Sequence, residues 1–201
     1  MGVLTGVSVV VLVLGLAAVA LLGVAVALYN ALVRARAHAE EGWSGVDVQL
    51  QRRADLVPML VQVVGAHAAH EKALLEEIAA RRAAAIGTAD RAARASAEQG
   101  LTESLGRLLA VAEAYPTLTA DRSFLNLQTE LASIEEALQD ARRYYNATAR
   151  ELNVRVEAFP SFLLARSFGF GLVPFFDAGD DARLRAPPQV TLPMPGAPGA
   201  A

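Results

Sequence analysis

The opening 33 residues constrain this chain most: no charged side chain occurs before Arg34, and 26 of the 33 belong to the AVILMFWYC set. From Val3 to Leu28 the run is dominated by Val, Leu and Ala. At ~1.5 Å of rise per residue, ~20 such residues cross the ~30 Å hydrocarbon core of a bilayer, so residues 3–28 suffice for one spanning helix. A cleaved signal peptide would bring a basic leader, a shorter apolar core of ~7–15 residues and a small-x-small cleavage site. Here the leader is bare and the core overlong, and the run passes into Tyr29-Asn30 without a polar cleavage region. Ala18 and Ala20 do form a small-x-small pair, which keeps an exported, released domain as the alternative. Arg34 and Arg36 follow the span and no Lys or Arg precedes it. The positive-inside rule then predicts a membrane protein with its N-terminus outside and its C-terminal domain in the cytoplasm.

All 18 Lys+Arg and 21 Asp+Glu lie beyond the span, and that remainder is about half apolar, the composition of one soluble domain. The excess behind the mean hydropathy of +0.33 is therefore local. This excludes a polytopic transporter and a disordered chain. A net charge of -3 without a basic patch excludes nucleic acid as partner. Zero cysteines exclude disulfides, thiolate metal sites and a cysteine nucleophile.

Past the span, Leu28, Leu32, Ala35, Ala39, Trp43, Val46 and Leu50 recur three or four apart, so the anchor is expected to continue as a helix. Asp55 can cap a new helix with Pro58 in its first turn. If the helix instead runs on, Pro58 is expected to kink it. Val57, Val61, Val64, Ala68, Leu75 and Ile78 form the next stripe, which fades near Ile86-Gly87. Residues 87–100, rich in Ala, Arg and Ser without a periodic stripe, read as a mobile connection or a frayed helix end. Leu101, Leu105, Leu108 and Ala112 mark a third helix, stopped at Tyr115-Pro116. Asp121 is the expected N-cap of the fourth and longest. There Phe124, Leu127, Leu131, Ile134, Leu138, Ala141, Tyr145, Thr148 and Leu152 alternate three and four apart up to Phe159-Pro160. No strand-like alternation occurs. The expected fold is all-α: an N-terminal transmembrane helix followed by an antiparallel bundle of about four long helices.

The C-terminal part changes character. Phe162, Phe168, Phe170, Phe175 and Phe176 crowd a stretch punctuated by Gly169, Gly171 and Pro174. That composition is expected to pack across the end of the bundle; the functional alternative is a docking surface for a partner or for the membrane. From Ala186 the Pro, Ala and Gly content predicts disorder. The expected division is an anchor over 1–33, a bundle over 34–160, an aromatic segment over 161–185 and a tail over 186–201.

Little chemistry is visible. His67 and His70 lie one helical turn apart beside Glu71, and two imidazoles on one helix face could hold a metal. The spacing matches neither His-Glu-x-x-His nor the Glu-x-x-His pairs of di-iron bundles, so surface histidines are the expected reading and metal binding the alternative. Glu40, Glu41, Asp47, Asp55, Glu113, Glu130, Glu135 and Glu136 are scattered at helical positions, facing solvent or pairing with Arg52, Arg53, Arg142 and Arg143. No phosphate-binding glycine loop and no Gly-x-Ser-x-Gly occurs, and no positioned acid–base pair can be identified. No catalytic residue and no cofactor is expected. Asn146-Ala147-Thr148 fits a glycosylation sequon by chance in mid-helix.

Several stretches carry a resemblance. They are Tyr29-Asn30-Ala31-Leu32-Val33 after the span, Trp43 to Pro58 (WSGVDVQLQRRADLVP), Val61 to Glu71, and Glu113-Ala114-Tyr115-Pro116. Phe124-Leu125-Asn126-Leu127-Gln128, Arg142-Arg143-Tyr144-Tyr145-Asn146, Glu157-Ala158-Phe159-Pro160 and Phe168-Gly169-Phe170 follow in order. Together, over about residues 29–176, the chain resembles the bacterial LemA family. The resemblance implies a single-pass membrane protein with a helical-bundle domain, without established enzymatic activity or cofactor, acting in scaffolding or interaction at the envelope. The implied partners are the bilayer through residues 3–28 and an unidentified protein, with a homo-oligomer as a further option. Its motif residues Tyr29, Asn30, Trp43, Asp47, Asp55, Pro58, Glu113, Tyr115, Pro116, Arg142, Arg143, Tyr144, Tyr145, Asn146, Phe159 and Pro160 carry structural or interaction roles. Tyr29 suits the membrane interface, and Trp43 and Tyr145 are expected to bury their rings on helix seams. Arg142 and Arg143 are expected to pair with Asp47, Asp55 or Glu113. The chain departs from the family pattern at Gly42 and Gly45, expected to loosen the helix by ~1 kcal/mol each, and at Thr117-Leu118-Thr119.

Overall fold

A computed structural model describes residues 2–176. The proposed tail over 186–201, and residues 177–185 of the aromatic segment, lie outside the described residues. Among those described there is no strand. Six helices follow one another: α1 (Gly2–His67), α2 (Lys72–Ile86), α3 (Arg91–Ala112), α4 (Pro116–Thr119), α5 (Arg122–Glu157) and α6 (Ser161–Ser167). A single 3₁₀ turn, Ala69–Glu71, joins α1 to α2. The expected all-α class, with one long apolar N-terminal helix ahead of the others, is what the chain forms.

α1 has 66 residues and is ~100 Å long at 1.5 Å per residue. Its first part carries exposed Val and Leu side chains from Val11 to Val26, while Leu32, Ala35, Ala39, Val46 and Leu50 are buried three to seven apart. One helix thus serves both as the long apolar element and as the spine of the bundle. No helix starts at Asp55. That expectation fails because Pro58 sits inside α1. A proline there removes one backbone bond and leaves the carbonyl four residues earlier, Ala54, without its helical donor. Arg82 of α2 donates its Nε–H to the Ala54 oxygen. A side chain from the neighbouring helix restores the missing bond, and the chain turns at Ala68 instead.

The expected mobile connection over 87–100 is also corrected. Asp90 caps α3, its carboxylate accepting the Ala93 N–H at 2.8 Å, and the helix begins at Arg91. Over its first half the buried positions are Ala95, Glu98 and Gly100, small or polar residues that leave no hydrophobic stripe in the sequence before Leu101. By contrast α5 follows the pattern. Asp121 accepts the N–H groups of Ser123 and Phe124 at 2.7 and 3.2 Å. Seven of the nine seam residues are buried, and Leu127 and Ala141 are half-buried.

Directions follow from cross-helix partners. Gly42 of α1 meets Tyr145 and Thr148 of α5, whereas Ala66 and His67 meet Asp121 and Ser123, so the two run antiparallel. Arg91 pairs with Glu40, Arg94 with Asp47 and Arg53 with Glu98, so α3 runs parallel to α1. α2 returns between them. α1, α2, α3 and α5 therefore alternate in direction, and α1 with α5 is the most extensive pair.

The apolar interior is graded along this axis. At the end far from the apolar segment, four helices and α4 surround Leu56, Leu60, Val64, Ile78, Leu101, Leu105, Leu108, Leu118, Phe124 and Leu131. The middle is built from Val46, Leu50, Leu138, Tyr145, Ala149 and Phe176. Nearest the apolar segment, only Ala35, Ala39 and Leu152 remain in a third cluster.

Candidate interaction site

Three arrangements gather the motif residues. The first is a buried charge cluster. Arg53 of α1, almost fully enclosed, donates to Glu98 of α3, to Glu135 of α5 at 2.8 Å and to Thr102 Oγ1 at 2.8 Å. Burial, the largest single influence, works against its charge, but the carboxylates of Glu135 and Glu98 outweigh it and hold the guanidinium above its ordinary value. One side chain therefore ties three helices. A surface pair is worth ~0–1 kcal/mol, whereas removing one partner of a buried pair strands the other charge and costs ~3–5 kcal/mol. The sequence placed Arg53 among solvated pairs and omitted Glu98, because charge alone gives no sign of burial.

The second is a seam on α5 that holds the extended residues after α6. Asn146 receives the Phe176 N–H at 2.9 Å and donates to the Phe176 carbonyl at 3.1 Å. Asn153 does the same for Val173, at 2.9 Å in both directions. The Tyr145 hydroxyl donates to the Pro174 carbonyl at 2.6 Å. The two asparagines are seven residues apart, ~10.5 Å along a helix, and Val173 and Phe176 are three apart, ~10 Å in extended chain. The spacings match, so two side-chain amides replace a neighbouring strand. Trp43 closes the seam, its ring 5.4 Å from Tyr145 and 5.7 Å from Phe176, with the Arg91 guanidinium 4.9 Å above it. Burial pushes the Tyr145 phenol above its ordinary value of 10.0, with Arg91 pulling the other way.

Gly42 explains how close these helices lie. A Cβ there would stand 2.9 Å from Thr148 Oγ1 and 3.0 Å from the Tyr145 Cα, which is backbone. The expected weak point of α1 is also a contact point, so the helix-propensity cost of Gly42 is set against the close approach that only glycine allows there. At Gly45 an added Cβ meets nothing within 4 Å, so its expected cost to the helix stands alone.

The third arrangement lies where α1 leaves the bundle. Tyr29 stacks edge-on against Phe168 and Phe170, centroids 4.9 and 5.9 Å away. Gly169, at φ +73°, ends α6 in the left-handed conformation, and the Phe170 N–H reaches back to the Ala165 carbonyl at 2.9 Å. That turn sets both phenylalanines against Tyr29. Leu22, Ala25, Val26, Tyr29, Leu164 and Phe168 line an apolar groove of about 270 Å³. Phe159 is 81% exposed.

The remaining motif residues are dispersed. Asn30 is exposed on α1. Asp47 pairs with Arg94 at 2.8 Å, and Asp55 accepts from Gln51 at 2.9 Å. Glu113 is exposed at the end of α3, Pro116 starts α4 and Pro160 precedes α6. The expected partners of Arg142 and Arg143 are corrected: Arg142 donates to Gln139 at 3.3 Å and lies over the Phe176 ring, and Arg143 pairs with Asp140. Two of the expected carboxylates are engaged elsewhere, Asp47 by Arg94 and Asp55 by Gln51. Tyr144 is half-exposed beside Gly42. His67 and His70 do not share a helix face, because α1 ends at His67 and His70 sits in the 3₁₀ turn. His67 bonds through Nδ1 to the Val63 carbonyl at 3.2 Å, and Glu71 accepts from the Tyr115 hydroxyl at 3.4 Å. Among the described residues no three His, Asp or Glu side chains converge as a metal would require.

Comparison with known proteins matches this architecture. A model of the LemA family matches residues 42–192, about three quarters of the chain and every element from the middle of α1 onward. The chain is similar to Magnetosome protein MamQ of Magnetospirillum gryphiswaldense, 29% identical over 181 residues, covering 76% of this chain and 66% of the relative. Magnetosome protein MamQ 2 of Paramagnetospirillum magneticum is 28% identical over the same coverage. The chain spans just under two thirds of the length of these relatives. With the family pattern matched over most of its length, the chain belongs to the LemA family.

Proposed function

We propose that this protein is a single-pass, non-enzymatic membrane protein that holds a rigid helical bundle at a fixed distance and orientation from the bilayer, as a scaffold or protein-interaction module. The observation that carries the reading is α1: the uncharged segment and the spine of the bundle are one helix. A helix shared in this way transmits position and orientation, which a flexible linker would lose. The most buried charges support a structural role, since Arg53, Glu98 and Glu135 are spent on tying helices together. Arg34 and Arg36, with Arg166 brought to the same end by the fold, support a cytoplasmic bundle. The relatives' designation as magnetosome proteins supports a constituent of a larger cellular structure.

Two measurements test this. A reporter fused after Ala201 is expected to be active in its cytoplasmic form; activity confined to the other side overturns the orientation. Photo-crosslinkers on the exposed face of the bundle, in native membranes, are expected to give discrete protein adducts that disappear in Arg53→Ala while the chain stays in the membrane fraction. Adducts indifferent to the state of the bundle would defeat the scaffold reading.

A further inference from the structure

The helix α6 is inside out for a helix in water. Its inward positions are the small Ser161 and Ala165, both buried, while Phe162 and Leu163 point outward and are exposed. Phe159 before it and Phe168 after it are exposed as well, at 81% and 59%. A surface helix of a soluble domain turns its large apolar side chains to the core and its small or polar ones to water. Here the order is reversed over four large side chains that lie together at one end of the molecule.

Position says what covers them. α6 packs beside the apolar run of α1, where Leu164 and Phe168 share a groove with Leu22, Ala25, Val26 and Tyr29. The uncharged run over residues 3–28 is ~39 Å long as a helix, ~9 Å more than the hydrocarbon core needs. The stretch of α1 that borders α6, from Leu22 to Tyr29, is of similar length, ~12 Å. The surplus of the span and the depth of α6 coincide. Aromatic rings at that level, with Arg34 and Arg36 beyond them along α1 and Arg166 on α6 itself, form the pattern of a membrane–water interface.

We infer that α6, with Phe159, Phe162, Leu163 and Phe168, lies in the headgroup–acyl boundary of the leaflet on the bundle's side, as a second membrane contact beside the span. This rests on the reading of residues 3–28 as a membrane span. The occupant of the exposed face is lipid. It makes the bundle's attachment two-point, so that the bundle can neither swivel nor tilt freely about α1.

The cysteine-free chain allows single labelled sites with all 201 residues present. Spin labels at Val19→Cys, Leu163→Cys, Phe168→Cys and Ala110→Cys are compared in vesicles of phosphatidylcholine and phosphatidylglycerol. The readout is the ratio of collision with oxygen to collision with a water-soluble nickel complex. All four positions are exposed; Phe168 also packs on Tyr29, so Leu163, which has no ring contact to lose, carries the test where the Phe168 label disturbs that packing. The expected result is a ratio at Leu163 and Phe168 severalfold above that at Ala110 and below that at Val19. Ratios at Leu163 and Phe168 equal to Ala110, with Val19 lipid-like, overturn the inference and leave the span intact. Inaccessibility to both reagents means a covering protein, such as a second copy, and also overturns it. A water-like Val19 removes the span and the inference with it.

Discussion

The two ends of the bundle are held by different means. Far from the apolar segment, four helices enclose a continuous aliphatic core, and Arg53 ties α1, α3 and α5 at its border. Near the segment, the buried residues are few and mostly small, Leu32, Ala35, Ala39, Leu152 and Ala165, and the gap is closed by aromatic rings and by residues 171–176 pinned to α5 by asparagine amides. The far end can be stable by its own burial. The near end depends on hydrogen bonds to an extended segment and on whatever lies beside α6. A domain built so is expected to be stiffest away from the apolar segment and most responsive next to it.

The contrast can be broken first at Arg53. Arg53→Ala is expected to cost ~3–5 kcal/mol, read by denaturant unfolding of the reconstituted chain, because Glu98 stays buried with only the more distant Arg94 guanidinium, 4.0 Å away, to balance it. Replacing Arg53 and Glu98 together with leucine is expected to recover most of that loss. A single substitution costing under ~1 kcal/mol would mean that the cluster is hydrated and unimportant. Leu131→Ala or Ile134→Ala in the far core is expected to cost ~2–5 kcal/mol by cavity formation.

At the near end, Asn153→Ala and Asn146→Ala are expected to cost ~1–3 kcal/mol each, by leaving the N–H and carbonyl of Val173 or Phe176 without their partners. Trp43, the one tryptophan, lies against Phe176 and reports the release. Its emission is expected to shift to the red in Asn146→Ala, while the unfolding of α2 and α3 stays unchanged. An unshifted emission would show that the seam is held by packing alone.

Gly42→Ala sharpens the comparison by its sign. Helix propensity favours alanine by ~1 kcal/mol, yet the added Cβ meets the Tyr145 backbone, and overpacking costs ~1–3 kcal/mol. Net destabilisation by about 1 kcal/mol is expected, against stabilisation for the same change at Gly45, where space is open.

The smallest effects are those of pH. Backbone N–H groups of Phe124 and Ser123 hold the Asp121 carboxyl below its ordinary 3.8. Its stabilising contribution is complete above that value and is lost as pH falls through the depressed one, so Asp121→Asn is expected to flatten the acid limb of stability. Tyr145 acts in the opposite sense. Its raised value makes the contribution complete below pH 10.0 and lost as pH climbs beyond it, and Tyr145→Phe is expected to remove that alkaline loss.

What the sequence disclosed follows the same division. α5 was fully legible: nine seam positions, an Asp121 cap and a proline stop are local signals, and local signals suffice for a helix with one buried face. α1 was legible up to Leu50 but not past Asp55, because the bond that carries it through Pro58 comes from Arg82, 28 residues away on another helix. α3 was half legible, since Ala95, Glu98 and Gly100 make a buried face without a hydrophobic period. Of the site, Trp43, Tyr145 and Asn146 were found as motif residues, but their common purpose needed Asn153. Its spacing of seven from Asn146 was a usable signal; the segment it binds shows no periodicity to announce a partner.

The apolar segment and the spine of the bundle share one helix, Gly2–His67. Spin labels at Val24→Cys and Val48→Cys, both exposed on α1 and 24 residues apart, test it by dipolar distance measurement in a bilayer. A continuous helix predicts a single narrow distribution centred near ~36 Å. A broad distribution, or one centred well below that distance, would mean a hinge between membrane and bundle and would contradict the account.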